Sequence, residues 1–338
     1  MDENAESRER VFLNGILKNS VRAIQEGDIQ WAHSLLSRSI ERFPLEGELY
    51  MNRALVLMEQ ERYKMSLEDL GQAIKLDPTN TYAYMNRAIS RDKCGDRMGA
   101  LEDYSSAIEI EPKNADLYYD RGVAFLDWQQ LEEAIADFTK AIEIDCENAD
   151  FYNNRANAYA DQGKYSQAVS DFTKAIDVDP IDTVLYDNRG ITYGKMGKFE
   201  LALNDYEMSV MLEPLVMEKH LSKMETEIIL GRLSEATRTF KKCGSMEARN
   251  DDRFNLRFLQ VVLETLKGSW RDDLDVTFNV LQRIVEEIKE PVSWDFEDLR
   301  KWGTTLLPQD IPEEKRMFLL ALIEKMEQNF PQDRNREL

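Results

Sequence analysis

Two regular sets of charged side chains are the residues of this sequence whose types and spacing could do chemistry. Arginine recurs every 34 residues, and an aspartate follows each arginine 16 residues later. A half-buried guanidinium needs a carboxylate partner, so this joint recurrence predicts ion pairs within or between neighbouring units. We interpret the pairs as structural, and ligand binding is the alternative. The two sets are Arg53, Arg87, Arg121, Arg155 and Arg189, and Asp69, Asp103, Asp137, Asp171 and Asp205.

The sequence has few of the residues that catalytic and metal sites use. Its two histidines, His33 and His220, lie far apart and in different units. The three cysteines, Cys94, Cys146 and Cys243, are scattered and contain no Cys-x-x-Cys pair, so they do not form a disulfide framework. No glycine loop of the kind that cradles phosphate is present. We therefore expect a protein that is not an enzyme and that carries no metal and no cofactor.

Composition is typical of a soluble folded protein and restricts the class of partner. Of 338 residues, 43% are hydrophobic and 32% are charged. The formal net charge is -21, and nucleic-acid binding depends on a basic footprint, so DNA and RNA are poor partners. Anionic membrane surfaces would also repel the chain. The acidity serves either solubility or the attraction of a basic partner. The scattered cysteines favour a reducing, cytoplasmic location.

The charged sets belong to a period of 34 residues that extends over residues 13–216. Prolines recur at this interval, and Cys146 takes the place of one of them. The register holds for six units, which begin at Leu13, Gly47, Thr81, Ala115, Ala149 and Thr183. We number positions from the first residue of each unit. Positions 8, 20 and 27 then hold small residues, and position 24 holds a large one.

These positions indicate two antiparallel helices per unit. Spacings of three, four and seven residues place each set on one helix face, where small residues let the two backbones approach closely. Glycines fall where the first helix must end, at Gly27, Gly95, Gly163 and Gly197. The prolines end the second helix. Two residues later comes a residue that can cap the next helix, at Asn80, Asn114, Asn148 and Asp182.

The pattern resembles the tetratricopeptide repeat family, with a divergent first unit. The resemblance implies an all-α fold, a right-handed superhelical solenoid of antiparallel helix pairs. It also implies binding of peptides or helices on the concave face, which the first helices line. Residues 217–250 look like a degenerate seventh copy, in which Gly231, Ala236 and Phe240 keep the register. The arginine and aspartate of the other units are missing there, where Lys223 and Thr239 stand instead.

Position 6, one residue before each arginine, carries a second regular polar set. An asparagine amide both donates and accepts hydrogen bonds, so it can pair with a peptide backbone in either sense. The set resembles the asparagine ladder in the repeat domain of O-GlcNAc transferase, and Asp120 departs from it. The alternative is that asparagine is simply common here in the family. The set comprises Asn52, Asn86, Asp120, Asn154 and Asn188.

Positions 2, 5, 9 and 12 share a helix face with each other and should line the rest of the groove. Early units place apolar residues there: Met51, Leu55, Met58, Tyr82, Met85 and Ile89. This half suits an amphipathic helix or the apolar side chains of a peptide, although the methionines could instead pack between repeats. Later units place mostly polar residues there, which suit a basic or polar stretch: Asp116, Tyr119, Asp150, Asn153, Asn157 and Asp187.

The register is lost beyond residue 250. We expect helices near 252–267, 271–289, 295–306 and 313–329, which form a C-terminal helical cap over residues 251–330. The alternative is a dimerisation or docking surface, since Trp270, Trp294 and Trp302 lie here. Residues 1–12 and 331–338 should be frayed.

From these features we expect a scaffold or adaptor that binds a peptide or helix of a partner protein, possibly basic or amphipathic, in its concave groove. The alternative function is a structural subunit that forms homo-oligomers through residues 251–330. Neither function requires a nucleic acid or a membrane.

Overall fold

Helices make up nearly all of the chain that the structure describes. The computed structural model describes residues 3–246, 250–267, 304 and 312–329. Within these residues there are sixteen α-helices and no strand. In chain order, α1 to α16 span Glu3–Gln25, Ile29–Arg42, Gly47–Glu59, Tyr63–Leu76, Thr81–Lys93, Arg97–Ile110, Ala115–Asp127, Leu131–Ile144, Ala149–Asp161, Tyr165–Val178, Thr183–Lys195, Phe199–Leu212, Met217–Ile229, Leu233–Cys243, Asn250–Lys267 and Glu313–Asn329.

The helices pack as consecutive pairs in two compact units, an N-terminal unit of residues 1–158 and a C-terminal unit of residues 159–338. In the N-terminal unit, α1 packs on α2, α3 on α4, α5 on α6 and α7 on α8, and each pair packs on the next. In the C-terminal unit, α11 packs on α12 and α13 on α14, while α10 contacts α11 and α12 contacts α13. The short turns make the helices of each pair antiparallel. The prediction of an all-α solenoid of helix pairs is confirmed.

A left-handed backbone residue at position 15 ends the first helix of each pair. Five glycines adopt this conformation, with φ from 71° at Gly197 and Gly231 to 85° at Gly95. The second and fourth repeats use Glu61 at φ 57° and Gln129 at φ 61° for the same turn. Their Cβ atoms make this conformation costly, so the fold imposes the turn even where the sequence lacks glycine.

The predicted caps hold the starts of the following helices. Asn80 Oδ1 accepts the backbone N–H of Ala83 at 3.0 Å, and Asn148 Oδ1 accepts that of Asp150 at 2.9 Å. Asn114 and Asp182 cap their helices in the same way. Each side chain satisfies one of the backbone donors that a helix start leaves unpaired.

The predicted small and large positions meet in the core between paired helices. Phe138 and Phe172 at position 24 are almost fully buried, and the small residue at position 8 of each of the first six repeats is buried. The approach is closest where position 8 is glycine. A Cβ added to Gly122 would lie 2.7 Å from Phe138 Cε1, and one added to Gly190 would lie 2.9 Å from Tyr206 Cε1. Small residues here therefore set the spacing of the paired helices.

The ends of the chain differ in part from the sequence expectations. Helix α1 begins at Glu3, ten residues before Leu13, where we placed the start of the first repeat. No glycine or proline interrupts this stretch. Near the C-terminus, the expected helix near 252–267 is observed as Asn250–Lys267, and that near 313–329 as Glu313–Asn329. The expected helices near 271–289 and 295–306, the three tryptophans and the tail 331–338 lie outside the described residues.

One continuous hydrophobic core joins α13 and α14 to α15 and α16 in the C-terminal unit. It includes Met224 and Ile228 from α13, Phe258 and Val262 from α15, and Leu322 from α16, all at most 2% exposed. The degenerate seventh repeat thus buries its apolar face against the two helices that follow it. Solenoid ends need such a cover, because an uncovered repeat would expose its core face to water.

In several repeats, the tyrosine hydroxyl at position 4 of the first helix donates a hydrogen bond to a carbonyl of the turn that precedes the helix. Tyr50 Oη donates to the Pro44 carbonyl at 3.2 Å, and Tyr186 Oη donates to that of Pro180 at 3.1 Å. Tyr118 and Tyr152 make the same bond at 3.3 Å to the corresponding carbonyls. In the seventh repeat the position holds His220, whose Nε2 lies 3.1 Å from the Pro214 carbonyl oxygen. The histidine therefore replaces a tyrosine in a recurring contact.

Replacing His220 with tyrosine should remove an acid-sensitive contribution to stability. Burial, with smaller effects from Lys242 and Lys223, lowers the pKa of His220 below its ordinary 6.5, although the bond to Pro214 opposes this shift. A histidine with a lowered pKa binds fewer protons in the folded than in the unfolded state, so stability falls as the pH drops through 6.5 towards the folded pKa.

We expect the free energy of unfolding of the C-terminal unit to decline less for His220→Tyr than for the wild type between about pH 7 and pH 5. Denaturant titrations at several pH values measure this difference. Parallel declines in the two proteins would show that this side chain does not contribute to acid sensitivity.

Candidate protein-docking groove

The arginine and aspartate sets form bidentate ion pairs within single repeats. Arg189 Nε lies 2.8 Å from Asp205 Oδ2, and Arg189 Nη2 lies 2.7 Å from Asp205 Oδ1. Matching pairs, all with both distances between 2.6 and 2.8 Å, join Arg53 to Asp69, Arg87 to Asp103 and Arg121 to Asp137. The aspartates are buried and the arginines half-buried. Hydrogen bonding to the carboxylate raises the pKa of Arg53, Arg87 and Arg189.

A hydroxyl at position 25 of the preceding repeat also accepts a bond from several of these arginines. Arg189 Nη1 donates to Thr173 Oγ1 at 3.0 Å, and Arg155 Nη1 donates to Thr139 Oγ1 at 3.0 Å. Ser37 and Ser105 accept similar bonds from Arg53 and Arg121. Each arginine thus links its own repeat to the one before it. Sequence reasoning missed position 25, although its recurring serines and threonines were a usable signal.

The third repeat departs from this arrangement. Its preceding repeat has Gly71 at position 25, which offers no hydroxyl. Instead, Arg91 Nη1 lies 3.0 Å from Asp103 Oδ2, so a second arginine reaches the carboxylate that Arg87 already holds. Asp103 is therefore the only aspartate of the four described pairs that contacts two arginines.

The seventh repeat replaces the pair with a different buried network. Lys223 Nζ lies 3.3 Å from Glu207 Oε1 and 3.4 Å from Glu227 Oε1. Thr239 Oγ1 donates to Glu227 Oε2 at 2.8 Å. Lys223 and Thr239 occupy the arginine and aspartate positions, so the loss of the pair is accompanied by a buried glutamate between them. Sequence reasoning recorded the loss of the pair and missed the contacts that Glu227 makes with Lys223 and Thr239.

Two of the position-6 asparagines, Asn52 and Asn86, are buried and bond to a carbonyl of their own helix. Asn52 is 8% exposed, and its Nδ2 donates to the Glu48 carbonyl of its own helix at 2.8 Å. Asn86 is 7% exposed and donates to the Tyr82 carbonyl, also at 2.8 Å. One N–H of each amide is therefore already engaged within its own helix. An amide nitrogen carries a second N–H, so each of these asparagines can still donate one bond as well as accept through Oδ1.

Several of the expected groove residues line an apolar cleft in the N-terminal unit. It has a volume of about 440 Å³ and lies on first helices α1, α3 and α5. Leu55, Met58, Ile89 and the edge of Asn52 line it, as predicted. The lining also includes residues that the sequence reading did not select: Val21, Ile24, Gln25, Glu59 and Tyr63. Val21 and Ile24 occupy positions 9 and 12 of the first repeat, so applying the same positions to that repeat would have found them.

The two methionines at position 5 pack between repeats and do not line the cleft. Met51 lies against the cluster of Ala73, Ile74 and Ala83, and Met85 lies against that of Ala88 and Tyr104. Both side chains are half-buried. The alternative that methionine packs between repeats therefore applies to these two positions. Tyr82 is 65% exposed and also lies outside the cleft lining.

An acidic surface lies on α7 and α9 of the same unit. Burial and the nearby Asp116 raise the pKa of Asp120 to about 6. Burial, with Asp150 and Asp120, raises the pKa of Tyr119. Tyr119 Oη accepts a bond from Asn154 Nδ2 at 3.0 Å, and its ring packs against Phe138 and Phe151. A negative potential surrounds these groups, and a cation would relieve it.

The remaining predicted groove residues are partly accessible. Asn153 and Asn157 are half-buried on α9, and Asn188 is half-buried on α11. Asp187 of α11 forms an ion pair with Lys219 of α13, which also lies 3.8 Å from Glu213. The cation that neutralises Asp187 is thus supplied by the chain itself.

Family models match four segments of the chain. The model described as tetratricopeptide repeat matches residues 47–80 and 149–182, and that described as TPR repeat matches 93–128 and 124–163. The first two segments coincide with the second and fifth units of the sequence register.

This chain is a tetratricopeptide repeat protein. No curated protein matches it in sequence. Tetratricopeptide repeats generally form non-enzymatic scaffolds for protein interactions, and the paired helices of this protein have the fold of a protein-interaction scaffold.

Solved structures share the fold of this tetratricopeptide repeat protein. The C-terminal part of a TPR repeat-containing protein from Cytophaga hutchinsonii is 16% identical with a TM-score of 0.58, over 68% of this chain and 95% of that chain. A tetratricopeptide repeat protein from Parabacteroides merdae is 22% identical with a TM-score of 0.52, over 73% of this chain and 98% of that chain. At these identities the likeness establishes the fold alone.

The described residues contain neither a metal-ligand cluster nor a helix suited to span a membrane. Among them, no group of three or more histidine, cysteine, aspartate or glutamate residues is placed to hold a metal ion. No described helix combines the length and the apolar character that crossing a membrane requires.

Proposed function

We propose that this tetratricopeptide repeat protein is an adaptor whose N-terminal unit binds an amphipathic, basic segment of a partner protein. The observation that carries the proposal is the apolar cleft on α1, α3 and α5, with the acidic surface of α7 and α9 in the same unit. Apolar side chains of the segment enter the cleft, and lysine or arginine side chains contact the acidic surface.

The cleft has the character of a peptide site. Leu55, Met58 and Ile89 are only partly buried, and Val21 is 42% exposed, so apolar surface is available to a guest. Burying such surface contributes roughly 25 cal/mol per Å². Glu59 at the rim and the acceptor oxygen of Asn52 add polar contacts that would orient a bound chain.

Charge supports a basic guest. Asp116, Asp120 and Asp150 lie close enough to influence the titration of Asp120 and Tyr119. A lysine or arginine beside them would stabilise the ionised carboxylates and lower the pKa of Asp120. The net charge of -21 would also speed encounter with a basic segment at low ionic strength.

Selection of phage-displayed random peptides on the purified protein tests the proposal. We expect enriched peptides to combine leucine, isoleucine or phenylalanine with lysine or arginine. Met58→Glu in the cleft should weaken their binding by about tenfold or more, because a carboxylate would enter an apolar cleft. Met98→Glu is the matched control, since Met98 is 72% exposed on α6, outside the cleft lining.

Asp120→Asn and Asp150→Asn should weaken binding of the same peptides chiefly at low salt. Equal binding to the wild type and Met58→Glu would refute the groove as the docking site. Insensitivity to both aspartate changes would refute the basic character of the guest.

We further propose a cytoplasmic location, supported by Cys94 and Cys146, which are exposed and form no disulfide. Self-assembly through residues 251–330 stays a prediction from the sequence. Helices α15 and α16 place much of their apolar surface in the core with α13 and α14.

A further inference from the structure

The turns before α11 and α13 expose a group of apolar side chains in the C-terminal unit. Ile181 is 74% exposed and Leu215 is 82% exposed, one in each turn. Neighbouring apolar residues are also open to solvent, namely Val178, Val184, Met211 and Val216. We call these six residues the apolar edge. A contiguous apolar surface on a soluble chain is typical of an interaction site.

The repeat architecture itself does not require apolar residues at this edge. Ile181 and Leu215 occupy position 33, where three other repeats carry Thr79, Lys113 and Glu147. At position 29 the first five repeats carry a charged residue and the seventh carries Ser245, whereas the sixth carries an apolar one, Met211. The same turns thus form with polar side chains. The fold therefore does not require the hydrophobic surface that the apolar edge exposes.

Contacts within the C-terminal unit hold the two turns in place. Tyr186 Oη donates to the Pro180 carbonyl, and His220 Nε2 contacts the Pro214 carbonyl, so each turn is fixed to the helix that follows it. Lys219 of α13 is paired with Asp187 of α11, which joins those two helices. Ile181 and Leu215 therefore lie at equivalent positions in the turns of successive repeats.

Acidic groups surround the apolar edge and restrict its occupant. Asp177, Asp179, Asp182, Glu213 and Glu218 lie on or beside the two turns. Two lysines near the edge already have acidic partners, because Lys174 pairs with Asp177 and Lys219 pairs with Asp187. A second copy would bring the same acidic rim, and an anionic lipid surface would bring more negative charge.

We propose that the apolar edge binds a short segment of a partner protein in which apolar side chains alternate with lysine or arginine. Charge complementarity with the acidic rim favours a basic segment. The small size of the surface favours a segment over a folded domain, since stable interfaces use roughly 20–30 residues a side. This surface is separate in sequence and in repeats from the cleft of the N-terminal unit.

Methyl NMR of the full-length protein locates the binding directly. The probe is a synthetic peptide of alternating leucine and lysine, with one control peptide in which serine replaces leucine and another in which glutamate replaces lysine. We expect saturable shifts of the Ile181, Val184 and Leu215 methyl signals with the first peptide. Each control peptide should bind about tenfold more weakly or worse at these residues.

The test variant is Ile181→Lys with Leu215→Glu, which introduces residues that position 33 carries in other repeats. It should keep the fold and lose the shifts at Val184 and Met211. Leu45→Lys is the matched control, because Leu45 occupies position 33 of the first repeat, is 79% exposed and lies in the N-terminal unit. It should leave the shifts unchanged.

Other outcomes would overturn the proposal. Shifts of the edge methyls on raising the protein concentration alone would identify a second copy as the occupant. Shifts with anionic lipid vesicles would identify a membrane surface as the occupant. If no peptide shifts the methyl signals of the apolar edge, the edge does not bind such segments. The methyls of Leu55 and Ile89 report the N-terminal cleft separately, so failure there and failure at the edge are distinguishable.

Discussion

Replacing Arg189 with methionine should destabilise the C-terminal unit by about 3–5 kcal/mol, because it leaves a buried carboxylate without its cation. Asp205 is 4% exposed, and both of its oxygens accept bonds from Arg189. The substitution also removes the bond to Thr173 in the preceding repeat. Hydrogen exchange of α11 and α12 would show the loss locally, and denaturant unfolding would give its size.

Three further variants test whether the loss of stability comes from the unpaired buried carboxylate. Arg87→Met should cost less, because Arg91 still lies 3.0 Å from Asp103. Arg22→Met should change little, since its pair with Glu26 is solvent-exposed. Arg189→Met with Asp205→Leu should recover much of the loss, because no buried charge is left unpaired. If Arg189→Met is no less stable than Arg22→Met, the pairs are not structural and a ligand-binding role regains support.

Replacing Phe258 with alanine should destabilise the end of the C-terminal unit by about 3–5 kcal/mol. Phe258 is 2% exposed on α15, within the core that α13 to α16 share. The cavity would loosen both the last helices and the seventh repeat. We expect faster hydrogen exchange throughout α13 to α16, with exchange in α3 to α8 unchanged.

Met317→Ala on α16 is the matched control, because Met317 is 57% exposed and its loss should stay within about 0.5 kcal/mol. A Phe258→Ala effect confined to α15 would contradict the shared core. A smaller particle mass for this variant, measured by sedimentation, would instead indicate that α15 and α16 join copies of the chain.

The period predicted the fold well because each position makes one repeated contact. Position 24 fills the space between helices, and Asn80 caps the next helix, so a single residue type recurs and is visible in the sequence. The ion pairs were visible for the same reason, since Arg189 and Asp205 lie 16 residues apart in a constant geometry.

Features that depend on several residue types or on the backbone were not predictable in this way. Position 25 of the first five repeats holds serine, threonine or glycine, so its recurrence is a weaker signal than that of a single residue type, and the bond from Arg189 to Thr173 was missed. The acceptor of Asn52 is a backbone carbonyl, which no side-chain pattern reports. Glu227 contacts Lys223 and Thr239, the two replacements in the seventh repeat, and a period cannot report contacts within a repeat that departs from it.

The placement of each ion pair inside one repeat has a consequence for how such a chain can lengthen or shorten. Arg121 and Asp137, for example, lie within the same 34-residue segment. The segment before it contributes only a neutral hydroxyl, which accepts a bond from Arg121. Duplicating or deleting a whole segment therefore leaves no orphaned buried charge at the new junction. Each of these arginine–aspartate pairs is electrically self-contained within its segment, so the number of such segments is free to vary without a compensating substitution elsewhere. The junction of the sixth and seventh repeats differs, because Lys219 and Lys223 pair there with Asp187 and Glu207 of the sixth repeat.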